Sequence, residues 1–193
     1  MKKLQLTNRW LLLSLIIVLV AAFRLLPSLF GFNFLFNFSP IGAMALFGAA
    51  YFSRRQMAFA VPFAALWVSN IIIDNVFLSQ YYEGFSLFSN WPVYLAFGLI
   101  VLLGMAIFKK VTPLRALAGS LSASVVFFIV SNFFVWMEGT MYPMSAEGLM
   151  ACYVAAIPFF WNTLAGDLFF VAMMFGAFEA IQYRYPALRM QVA

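Results

Sequence analysis

The stretch GLIVLLGMAIFKKVTPLRALAGSLSASVVFFIVSNFFVW, residues 98–136, holds two apolar runs of helical length on either side of a short turn. Lys109, Lys110 and Arg115 mark that turn, and no other Lys or Arg occurs in the stretch. About 20 apolar residues cross the hydrocarbon of a bilayer as a helix, and Lys and Arg accumulate in the loops left on the cytoplasmic side. The stretch therefore reads as a pair of membrane helices joined by a cytoplasmic turn.

The whole chain repeats this pattern. Its 193 residues are 66% hydrophobic and 9% charged, with a mean hydropathy of +0.99; soluble domains carry about a quarter charged residues. The length accommodates about six spans and no separate soluble domain, so the expectation is an all-α polytopic membrane bundle, one domain over residues 1–193. Breaks at Pro, Gly and charge place helices at about 10–30, 40–53, 56–74, 91–108, 114–137 and 156–182. The basic start and apolar run at the N-terminus resemble a signal peptide, but no clean small-residue cleavage site precedes a polar region, so the run is read as the first helix.

Charge fixes the expected orientation. Lys2, Lys3 and Arg9 precede the first helix, Arg54 and Arg55 follow the second, and Arg184 and Arg189 follow the sixth, while the intervening connections 31–39, 75–90 and 138–155 have neither Lys nor Arg. Both termini are thus expected in the cytoplasm of a bacterial inner-membrane protein. The net charge of +5 is accounted for by these loops and gives no reason to invoke nucleic acid.

With no histidine and one cysteine, the chain lacks the commonest general base and metal ligand and cannot form an internal disulfide. No nucleotide-binding loop is present, and the residues suggest no catalytic set, metal site or cofactor. An intramembrane enzyme would need Ser131 or Cys152 activated by a base that is missing. Cys152 admits two readings, a thiol meeting a soft metal or substrate and a small buried apolar group.

Polar groups inside a bilayer are costly and so carry information. At about 1.5 Å per residue, Arg24, Asn70, Asn132, Asn162 and Asp167 fall at similar depths in the outer half of the membrane. Arg24 and Asp167 are close enough in height to pair. Such a pair, with the asparagines, either pins helices together or lines a solvated cavity open to the outside. In PIGAMALFGAAYF, residues 40–52, Gly42, Ala45, Gly48 and Ala49 form a small-residue face suited to close packing in the bundle or to docking another subunit.

The segments RLLP (24–27), NFSPIGAMALFGAAYF (37–52), SNFFVW (131–136) and MYPMSAEGLMACYVAAIPFFWNTLAGDL (141–168) resemble an uncharacterised bacterial six-helix membrane family of transport proteins. More broadly, the architecture resembles the substrate-capture subunits of energy-coupling-factor vitamin transporters. That resemblance implies a small-molecule ligand in an outward pocket and a membrane coupling subunit with ATPases as partner. It also implies Asn132, Trp136, Tyr142, Tyr153, Asn162 and Asp167 as pocket residues, with Arg24 and Asn37 at the mouth. The first helix lacks the Ala-x-x-x-Ala docking motif of those subunits, and the connection after the third helix lacks the cysteine of their cobalamin-binding members. The expected function is small-molecule capture for transport; the alternative is a structural membrane subunit with no ligand.

Overall fold

The computed structural model describes residues 2–31, 37–81 and 84–188, with side chains from Arg9 onward. Its main helices are α1 (Lys2–Phe23), the short α2 (Leu26–Phe30), α3 (Ile41–Tyr51), α4 (Arg55–Ile72), α5 (Trp91–Ile107), α6 (Pro113–Met137) and α7 (Ala146–Arg184). Setting α2 aside as the continuation of α1, six helices make an all-helical bundle, with no strand among the described residues. Four spans, Arg9–Phe30, Arg55–Phe77, Pro113–Met137 and Ala146–Arg184, are long and apolar enough to cross a membrane.

The sides of these helices are patterned for lipid. On α1, Leu13, Ile17, Val20 and Ala21 recur at helical spacing and are buried, whereas Leu11, Leu15, Val18 and Leu19 are exposed. Helix α6 turns the soluble pattern inside out. Its Ser120 and Ser124 are fully buried, while Leu117, Leu121, Val125 and Ile129 lie on the outer surface. Small and hydroxylated residues face the neighbouring helices and large apolar ones face outward, as expected where the surroundings are as apolar as Leu.

The shortest of the six helices lies at the centre. Helix α3 packs against α1, α4, α5, α6 and α7, and every residue from Ile41 to Gly48 is buried. An apolar helix without a polar face can only be stable when covered all round. Small residues allow this: a Cβ at Gly48 would stand 2.5 Å from Pro62 of α4, and one at Gly104 of α5 would stand 2.7 Å from Ala49. The small face of α3 thus packs inside the bundle.

Two helices stand out by length. Helix α3, expected as a short second helix at about 40–53, has eleven residues, about 16 Å against a hydrocarbon thickness of about 30 Å. Its apolar run is continuous, but Pro40 opens it and Phe52, with extended backbone, closes it. The last helix begins at Ala146 rather than 156, because Ser145 caps it by accepting from the Gly148 N–H. Polar Ser145 and Glu147, which read as loop residues, are here a helix cap and a first-turn acid, both favourable at an N-terminus. At 39 residues α7 is about 58 Å long and extends beyond the hydrocarbon.

Both ends of the described chain meet at the face of the basic turns. Arg9 is buried and donates to the carbonyls of Tyr51, at 3.0 Å, and Leu188. Tyr51 Oη donates to Glu179 at 2.7 Å. Arg9 is therefore a clamp rather than a solvated loop charge.

Candidate functional site

At the opposite end of the bundle, a cavity of about 590 Å³ opens between α1, α3, α4, α5 and α7. That volume is within the usual range for small-molecule sites.

The wall from α1 exists because the helix is interrupted. Pro27 has no N–H to continue the ladder, and the chain tightens so that Arg24 and Leu25 donate to Ala21 and Ala22, three residues back. Arg24 lies at this turn and reaches α4, where it donates to the Leu66 carbonyl at 3.4 Å, to Ser69 Oγ, and to Asn70 Oδ1 at 2.7 Å. Asn70, itself buried, passes the chain on by donating to Tyr94 Oη at 2.9 Å.

One turn further along, α4 widens into a π-helical turn over Ile73–Phe77 that contains Asp74. Such local widening is frequent at functional sites. Asp74 is buried and accepts from the Ser89 hydroxyl. Asn75 donates to the carbonyl of Ser86 and accepts from its N–H, and Trp67 donates to the Leu87 carbonyl at 3.0 Å. The segment before α5 is thereby held at the rim of the cavity.

The floor is built around the start of α3. The first N–H groups of a helix have no partner within it, and the Pro40 side chain supplies no cap. Left unsatisfied at membrane depth, each such group costs several kcal/mol. Asp167 of α7 fills the role from another helix. Its carboxylate accepts from the backbone N–H groups of Gly42 and Ala43 and from Ser124 Oγ of α6 at 2.7 Å. Glycine is needed on both sides of this contact: a Cβ at Gly42 would lie 2.3 Å from Asp167 Oδ1, and one at Gly166 would lie 2.9 Å from Ser39 N.

The expected Arg24–Asp167 pair is replaced by these separate arrangements. Arg24 is held by α4 and Asp167 by α3 and α6, and the carboxylate whose charge acts on Arg24 is Asp74. Equal height in the membrane does not place two side chains on the same side of the bundle.

Of the residues singled out from sequence, the structure brings Arg24, Asn37, Asn70 and Asp167 together on the cavity lining. Asn37 stands at the edge with φ +66°, a left-handed conformation that Asn tolerates. Asn132, Trp136, Tyr142 and Tyr153 lie elsewhere, at the α6–α7 hairpin. There Trp136 donates to the Pro143 carbonyl at 3.0 Å, Tyr153 to that of Ile129 at 2.7 Å, and Asn132 to that of Phe128 at 2.8 Å. Cys152 is buried on α7 and its thiol faces the Asn132 carbonyl at 3.4 Å, so the small buried residue is the reading that fits. Asn162 is not on the lining, whereas its neighbour Thr163 is. The ten added residues of α7 also place Asn162 much farther from the helix start than its expected position.

Asp74, Ser89, Ser124 and Tyr94 take part without having been among the expected site residues. Two signals were available: Asn70 and Asp74 are four apart and share a helix face, as do Ser120 and Ser124. Among the described residues, no three His, Cys, Asp or Glu side chains gather as a metal site. The arrangement is suited to holding a polar small molecule by hydrogen bonds and charge.

No curated protein and no solved structure matches the chain. The profile of a family of unknown function, DUF6580, matches residues 4–188, nearly the whole length. The chain belongs to that family.

Proposed function

We propose that this protein captures a small molecule at the outer face of the bacterial inner membrane as part of a transport process. The observation that carries the reading is the cavity itself: about 590 Å³, with Arg24, Asp74 and Asp167 on its lining, at the end of the bundle away from the basic turns. Ionisable side chains within membrane segments mark substrate paths and sites by default, and this set surrounds a space of ligand size. The basic turns support an orientation with both termini in the cytoplasm and the cavity facing outward.

Since the sequence has no nucleotide-binding loop, energy for transport is assigned to a partner, a membrane coupling subunit with ATPases. Helix α3 starts beside the cavity, preceded by irregular backbone.

Native mass spectrometry of the purified protein tests the reading. A retained small molecule, released on Asn70→Ala substitution with the helix content unchanged, is the expected result. A wild-type protein that retains nothing and whose melting midpoint responds to no small molecule in a broad metabolite screen is a structural subunit instead.

A further inference from the structure

The cavity presents one cation and two acids, but these are not equally available. Asp167 is spent inside the protein, on Ser124 and on the first N–H groups of α3. That leaves Arg24 and Asp74 on the α1 and α4 side of the cavity.

Each of these two is half used. Three of Arg24's five N–H donors go to acceptors on α4, and among the described residues the other two have no protein acceptor. Asp74 accepts from Ser89 through Oδ2, and among the described residues Oδ1 accepts from no protein donor. The two charges act on one another but are not joined by an ion pair within the described structure. Opposite charges buried at membrane depth are expensive unless paired or bridged. Around them the cavity wall turns apolar at Ile73, Phe77, Val93 and Phe127.

Resting on the capture reading above, we infer that the ligand is a small zwitterion with an apolar body, its carboxylate bound by Arg24 and its protonated amine by Asp74. A carboxylate matches the planar fork of a guanidinium, and an ammonium supplies three donors to a carboxylate oxygen. A simple anion would satisfy Arg24 and leave Asp74 facing it. A simple cation would do the reverse. Phenylalanine-sized amino acids and apolar dipeptides have the required chemistry and fit within the volume.

The test uses the full-length protein in detergent and follows its melting midpoint with phenylalanine, leucine and glycyl-phenylalanine as probes. Phenylalanine methyl ester, which keeps only the amine, and N-acetylphenylalanine, which keeps only the carboxylate, are the paired controls. The zwitterions are expected to raise the midpoint and the blocked forms to fail. Asp74→Asn should weaken zwitterion binding by about tenfold to a hundredfold. Should that variant fold poorly, the comparison of free and blocked probes on the wild type still decides. Stabilisation by a blocked form as strong as that by its parent overturns the zwitterion assignment and leaves the capture reading standing. So does retention, in native mass spectrometry, of a molecule lacking either group. No response to any probe or to the broad metabolite screen, together with no retained molecule, overturns both.

Discussion

At the residue scale, Asp167 and Gly42 work as one contact. The carboxylate caps a helix that is not its own, and the missing Cβ at Gly42 is what allows it to approach. Gly42→Ala is expected to destabilise the protein by about 1 to 3 kcal/mol, as overpacking does, measured as a fall in melting midpoint in detergent. Gly98→Ala is the control: a Cβ there meets nothing within 4 Å, and helix propensity alone makes it neutral or slightly stabilising. At position 167, Asn can still accept from Ser124 Oγ, and Ala cannot. Asp167→Ala should therefore lose more stability than Asp167→Asn, and an equal loss would show that charge alone matters at this position.

At the element scale, α7 shows how a local signal outweighs hydropathy. The residues 146–155 include Glu147, Gly148 and Cys152, a composition that reads as connection. The Ser145 cap nevertheless starts a helix there. Amides of 149–155 are expected to resist hydrogen exchange in the wild type. Ser145→Ala, which removes the cap at a cost of about 1 kcal/mol, should speed their exchange and leave α6 unaffected. Helix α3 makes the opposite point. Its short apolar run and small packing face were visible from sequence, but its cover by α1, α4, α5, α6 and α7 was not, since length alone does not show how many neighbours will surround a helix.

At the scale of the whole molecule, the arrangement has two different ends. One gathers Arg9, Tyr51, Glu179 and the last described turn; the other holds the cavity. The proposed orientation predicts which is accessible from outside the cell. In a Cys152→Ala background, a thiol introduced as Leu87→Cys, at the cavity end, should react with a membrane-impermeant maleimide on intact cells. One introduced as Lys110→Cys should react only after the membrane is opened. The reverse pattern would place the cavity on the cytoplasmic side.

The sequence by itself determined the helical class, the number of helices and the segregation of basic residues into alternate turns. These follow from hydropathy and charge, which act on each segment independently of its neighbours. It also marked Arg24, Asn70 and Asp167, because a polar group in an apolar run stands out whatever it touches; Asn37 came only from the resemblance. Tertiary structure alone decided their partners. Depth along a helix can be counted from sequence, but the rotation of each helix and its neighbours cannot, so Arg24 was matched by height to Asp167 when packing gives it α4 and the charge of Asp74. For the same reason Asn132, at a plausible depth, turns to the α6–α7 hairpin, and the carboxylate expected to answer an arginine caps the buried start of α3.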